Sequence, residues 1–135
     1  MCIRDRGGSP LLHRALAHYV GSGELEPHAD EVRELYQQKC KALVKSLSEH
    51  CEPYLRFEVP DGGFFLWADC IGATAQDIAR EAAIEGVTFA AGSNFFAQRE
   101  EADTTHIRLA LSYASIKDLE QVGPRLRDAF RRVVD

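Results

Sequence analysis

Long apolar runs are missing from this sequence, and none approaches the roughly 20 residues that a membrane span needs. The N-terminus also lacks the charged, apolar and small-residue order of a signal peptide, so a cytoplasmic protein with no membrane partner is expected. An excess of positive charge is absent. Sixteen basic residues face 21 acidic ones, for a net charge of -5. Such a chain lacks the electrostatic footprint of a nucleic-acid binder. The four cysteines, Cys2, Cys40, Cys51 and Cys70, include no C-x-x-C pair. No histidine pair completes a zinc pattern, so no metal site is expected. Scattered reduced thiols are favoured over a disulfide framework, because 135 residues are enough to bury a core without one. Repeats and low-complexity segments are also absent.

What is present reads as one globular domain with an all-helical approach. Hydrophobic residues make up 45% and charged residues 27%, which excludes a disordered tail or a coiled coil. Residues 1–6 show no periodicity and join abruptly to Gly7-Gly8-Ser9-Pro10. They read as a non-native or disordered terminus. Ser9 and Pro10 suit a helix start, and Leu11, Leu12, Ala15, Leu16 and Tyr19 follow at helical spacing. Gly21-Ser22-Gly23 stops that helix. A long helix is expected from about Pro27 to His50, with Val32, Leu35, Tyr36, Cys40, Leu43, Val44 and Leu47 as its apolar stripe. It is longer than a small domain requires.

Strands follow. Tyr54 to Val59 and Phe64 to Cys70 flank the turn Pro60-Asp61-Gly62-Gly63, where Asp-Gly is a hairpin signal. Thr74 caps a helix with Asp77 at its third position. Ile78, Ala79, Ala82 and Ala83 give that helix an apolar face, and Gly86 ends it. Val87 to Ala90 reads as a short buried strand and Ile107 to Leu111 as the last one. Ala91 to Thr105 is long for a plain loop and is expected to be functional or partly helical. Ser115 caps a final helix that Pro124 should kink near Gly123. The order implies an α+β layer sandwich, with a mostly antiparallel sheet covered by helices.

Arg108 carries the most chemical information. Alternation sets Ile107, Leu109 and Leu111 on one face and Arg108 with Ala110 on the other. A guanidinium grips a carboxylate through two parallel hydrogen bonds, which lysine cannot copy. A solvated strand arginine is the other reading of the same pattern. Gly62-Gly63 feeds an aromatic strand, which a hairpin alone explains. Gly92-Ser93-Asn94-Phe95 reads either as backbone approaching a ligand or as a surface turn. Gly7-Gly8 before a helix start is a weak phosphate-loop signal. The five histidines do not cluster, and no nucleophile–histidine arrangement or carboxylate pair stands out.

Four segments in order resemble a known family. They are Pro60-Asp61-Gly62-Gly63-Phe64-Phe65-Leu66-Trp67, Glu85-Gly86-Val87-Thr88-Phe89, Gly92-Ser93-Asn94-Phe95-Phe96 and Ile107-Arg108-Leu109-Ala110-Leu111-Ser112. The set is similar to the C-terminal part of class I/II aminotransferases, pyridoxal-phosphate enzymes of fold type I. Gly7-Gly8-Ser9-Pro10, Gly23-Glu24-Leu25-Glu26-Pro27-His28 and Leu35-Tyr36 are similar to the branch with 2-aminoadipate aminotransferases and MocR-type regulators.

The resemblance implies residues 7–50 as the helical end of a large domain with the interdomain helix, and residues 51–135 as the small domain. It implies an amino-acid and 2-oxo-acid transaminase that is homodimeric when complete. Arg108 would bind the substrate carboxylate. Gly7, Gly8 and Ser9 would reach the partner subunit's site, and Gly62, Gly63 and Gly92 would face the cleft. The cofactor would be pyridoxal 5'-phosphate, with most of its ligands outside this chain. The family's Schiff-base lysine has no counterpart here, since Lys39, Lys41, Lys45 and Lys117 read as helix-surface lysines. The chain alone is therefore expected to be inactive. The alternatives are a fragment of a MocR-type sensor domain and a small non-catalytic interaction domain.

Overall fold

The computed structural model describes residues 9–96 and 104–134. Two compact units divide it, residues 1–35 and 36–135. In the first unit, helix α1 spans Pro10–Gly21 with Pro10 at its first position. The missing N–H of proline costs nothing there. Ser9 takes the N-cap place but makes no side-chain cap bond. Gly23 ends the turn at a φ of +81°, which L side chains avoid. Helix α2, Leu25–His50, is one element of 26 residues, about 39 Å at 1.5 Å per residue. It begins two residues before the expected Pro27.

The second unit contains the sheet. Strands β1 (Leu55–Phe57), β2 (Phe65–Cys70), β3 (Ala90–Ala91) and β4 (His106–Ala110) form an antiparallel sheet in the order β1-β2-β4-β3. The α+β class and the antiparallel sheet stand as expected. The strand expected over Val87–Ala90 is shorter and later, because only Ala90 and Ala91 pair with β4. Val87 is buried all the same, as a core side chain outside the ladder.

Alternation divides the sheet into two faces. Leu66, Ala68 and Cys70 of β2 and Ile107 and Leu109 of β4 are buried. They share one core with Leu43 and Leu47 of α2 and with side chains of helices α3 (Ala75–Ile84) and α5 (Val122–Val134). Each buried leucine or isoleucine contributes about 1.5–3 kcal/mol relative to its exposed form. The other face carries Phe65, Trp67, Asp69, His106, Arg108 and Ala110, none of them buried. On α3 the buried positions are Ala75, Ile78 and Ala82. Ala79 and Ala83, expected on the same face, are exposed.

Both expected caps form. Thr74 Oγ1 accepts from the Asp77 N–H at 3.2 Å, and the Thr74 N–H donates to Asp77 Oδ2 at 3.2 Å. Ser115 and Asp118 repeat the arrangement at helix α4, Ile116–Glu120. The hydrogen bonds from Thr74 hold the Asp77 carboxyl below the usual carboxylate range. Thr74→Ala is expected to lower stability by about 1 kcal/mol at neutral pH. A group with a depressed folded pKa stabilises above its unfolded value and loses that effect as pH falls through the folded one. The gap between variant and parent therefore closes in acid. Urea denaturation at neutral and acid pH checks both points, and a gap that widens in acid would contradict the sign.

The kink expected near Gly123 is a break instead. α4 ends at Glu120, Gln121 caps it, and α5 starts at Val122. Pro124 falls in the first turn of α5, where its missing N–H is tolerated. Three side-chain bonds from the region ending α2 satisfy the broken backbone. Ser46 Oγ accepts from the Gly123 N–H at 2.9 Å and donates to the Glu120 carbonyl at 2.7 Å. The Cys51 thiol donates to the Gly123 carbonyl at 3.2 Å. Burial pushes that thiol up to about 12, so it keeps its proton across the physiological range.

Candidate functional site

The open face of the sheet is the candidate site. Register sets Trp67 opposite Arg108, Phe65 opposite Ala110 and Asp69 opposite His106. Ala90 faces Arg108 from the other side. Ala90 across the sheet on one side and Ala110 two residues along the same strand leave room for a long side chain to lie along the sheet. The Arg108 guanidinium carbon is 3.9 Å from the centre of the Phe65 ring and 4.0 Å from that of Phe95. Phe95 belongs to a 3-10 turn, Gly92–Phe95, directly after β3. Trp67 packs edge-on against Phe95 at 5.8 Å and stacks on His106 at 5.4 Å.

The electrostatics of this face are unusual. Arg108 forms no ion pair with a carboxylate of the described residues, and its Nε is buried with no acceptor among them. Asp69, on the same face, is already engaged, since Thr105 Oγ1 donates to it at 2.5 Å and His106 Nδ1 lies 3.9 Å away. A half-buried cation with no acid beside it can take an anion from outside. Phe65, Trp67 and Phe95 remain 43%, 39% and 46% exposed. A cluster of part-exposed aromatics marks a surface that meets something else.

An open groove of about 590 Å³ runs along the same face. It is lined among others by Arg56, Val59, Asp61, Phe65, Trp67 and His106. Its wall includes Pro60 and Asp61, from the connection that leads into Gly62 and Gly63. This connection is longer than the two-residue hairpin that Asp-Gly suggests, because seven residues separate β1 from β2. Gly63 takes a φ of +94°, and nothing lies within 4 Å of the Cβ position at either glycine. Backbone conformation, not crowding, therefore explains Gly63.

Gly92 is different. A Cβ there would meet His106 Cβ at 2.8 Å and the His106 carbonyl oxygen at 2.9 Å. Close approach to β4 requires this glycine, and it lets the turn deliver Phe95 onto Arg108. Ser9 lies at the start of α1. Gly7 and Gly8 lie outside the described residues.

Lys39 is not the surface lysine that its pattern suggests. It is buried, its Nζ donates to the Ser112 carbonyl at 2.6 Å, and it lies 5.8 Å from the Tyr36 ring. Its aliphatic stem packs while its head finds a carbonyl just past β4. Lys41, Lys45 and Lys117 are exposed on helices, as expected. No lysine of the described residues thus stands on the face that carries Arg108. The described residues accordingly do not fit a pyridoxal phosphate site that depends on a covalent lysine. The Arg108 guanidinium, with no ion pair among the described residues, is a group that a carboxylate can grip. The aromatic packing around Arg108 was not legible in the sequence, although the pair Phe95-Phe96 was its one visible signal.

No family model matches the chain. The 2-aminoadipate transaminase of Thermus thermophilus is 30% identical over 120 residues, which are 88% of this chain and 29% of that protein. An uncharacterised HTH-type transcriptional regulator of Bacillus subtilis is 28% identical over 118 residues, 87% of this chain and 24% of that one. The solved structure of LysN, the alpha-aminoadipate aminotransferase of Thermus thermophilus, matches with a TM-score of 0.80 and 25% identity. That match covers 92% of this chain and 32% of LysN, which is complexed with N-(5'-phosphopyridoxyl)-L-leucine. The chain thus spans about a quarter to a third of the length of the proteins it matches.

Proposed function

We propose that this chain, which is similar in sequence and fold to the C-terminal part of fold type I aminotransferases, supplies the substrate-carboxylate site of a pyridoxal-phosphate-dependent aminotransferase. One observation carries the proposal. Arg108 lies on the open sheet face with no carboxylate of the described residues beside it. The complete protein moves an amino group between an amino acid and a 2-oxo acid. Both substrates carry the carboxylate that Arg108 recognises, so one arginine serves both halves of the exchange.

Pyridoxal phosphate, when bound, supplies the electron sink for that exchange. Its lysine and most of its other ligands belong to the part of the protein outside this chain. Arg108 orients the substrate and breaks no bond. Residues 51–135 act as the small domain, and residues 7–50 as the helical end of the large domain with the helix that links the two. Gly7, Gly8 and Ser9 reach the partner subunit of a homodimer. By itself the chain is inactive.

The similarity to the Bacillus subtilis regulator supports a second reading, in which the same segment senses an amino acid inside a transcription factor. One assay separates the two. The complete protein is incubated with 2-oxoglutarate and each common amino acid in turn, and glutamate formation is measured. Glutamate formed at the expense of one amino acid is expected. No transfer from any of them, together with saturable binding to a specific DNA site, would overturn the enzyme and leave the sensor.

A further inference from the structure

We propose that Phe65 and Phe95 are positioning residues, which hold the Arg108 guanidinium by its two faces and thereby fix the edge that a carboxylate can grip. This inference rests on the carboxylate role of Arg108 and specifies how that role is built. A guanidinium is planar. Its faces attract aromatic rings, and its edges carry the N–H groups that form parallel hydrogen bonds. The two uses do not compete. The centre of one ring lies 3.9 Å and that of the other 4.0 Å from the guanidinium carbon, and contact with two rings restricts rotation about the long side chain.

Burial then selects the edge. Nε is buried with no acceptor among the described residues, so the edge that includes it is closed to a ligand. The terminal edge, Nη1 with Nη2, is left for an end-on carboxylate. A free arginine chain loses much rotamer entropy when it binds. A clamped one has lost it before the ligand arrives, and pre-organisation of this kind tightens binding. The clamp is itself supported. Trp67 packs edge-on against Phe95, and the close approach of Gly92 to His106 sets the turn that carries Phe95.

The test uses the complete protein and 2-oxoglutarate, with dissociation constants from calorimetry. Phe65→Leu and Phe95→Leu are each expected to weaken binding about three- to ten-fold, as the loss of one ring–cation contact implies. Phe95→Tyr keeps the ring and should bind like the parent, and the upfield shift of the Arg108 side-chain protons, which only stacked rings produce, separates the clamp from mere space filling. Both phenylalanines are part-exposed, so the thermal midpoint should stay near that of the parent. Should a leucine variant unfold, the Arg108 side-chain protons of the parent give a second reading by NMR. Flanking rings must shift them upfield, and unshifted protons overturn the clamp. Leucine variants that bind as tightly as the parent, or a tyrosine variant that binds as weakly as the leucine one, also overturn it. In those cases Arg108→Ala still abolishes binding and the carboxylate role survives. If Arg108→Ala binds like the parent, the carboxylate role falls and the clamp falls with it.

Discussion

Arg108→Ala, made in the complete protein, is expected to lower kcat/KM for the amino acid by about 100-fold or more. Two charge-assisted hydrogen bonds are lost, each worth about 1.5–3 kcal/mol, and every 1.4 kcal/mol is a factor of ten. The loss should fall mainly on KM if the arginine only holds the substrate. It extends to kcat if the substrate, once bound, sits at the wrong angle to the reacting groups. Arg108→Lys should recover little, because an ammonium cannot offer two parallel bonds and does not fill the slot between two rings. The fold should tolerate either change. Arg108 lies on the face away from the core, so its removal costs only the contacts to Phe65 and Phe95, about 0.5–2 kcal/mol. Steady-state kinetics beside a thermal melt separates the two effects. Unchanged kcat and KM in a folded Arg108→Ala protein would remove the substrate role.

The second large effect concerns Gly123→Ala. A Cβ there would lie 2.0 Å from the Ser46 carbonyl oxygen and 2.6 Å from its carbon. Both are backbone atoms, so no side chain can swing aside. The segments must separate, and separation breaks the two Ser46 bonds and the Cys51 bond that seal the break between α4 and α5. Overpacking alone costs about 1–3 kcal/mol, and each buried group left without a partner adds about 1–3 kcal/mol. The sum is a large part of the 5–15 kcal/mol that holds a typical domain together. Gly123→Ala should therefore fail to fold or melt far below the parent. Ser46→Ala is the milder companion, since it removes one hydroxyl that serves both the Gly123 N–H and the Glu120 carbonyl. Its expected cost is about 2 kcal/mol. A Gly123→Ala protein within 1 kcal/mol of the parent by urea denaturation would contradict this close crossing.

The features legible in the sequence are those fixed by local periodicity. Alternation in Ile107–Leu111 separates Arg108 from the core-facing residues, and the structure has the same division. Thr74 with Asp77, and Ser115, mark helix starts because a cap is decided within four residues. Features decided across the fold were not legible. Lys39 bears a charge at a position whose pattern reads as surface, although its stem packs and its head meets Ser112, 73 residues away. Gly123 reads as the partner of a proline kink, whereas its lack of a side chain is what matters. Strand β3 is only two residues long because pairing with β4 is confined to Ala90 and Ala91. Phe95 reaches Arg108 through a turn whose path depends on His106, and nothing in the local pattern encodes that path.

The two-faced sheet has a consequence for how this molecule can change over time. Positions 65, 67, 69, 106, 108 and 110 lie on the open face, whereas positions 66, 68, 70, 107, 109 and 111 build the hydrophobic interior. Mutations at the first set alter recognition at small energetic risk, and mutations at the second set do the reverse. A lineage could thus drift from one amino acid to another, or from turnover to sensing, by replacing alternate residues on two short strands while the scaffold stays the same.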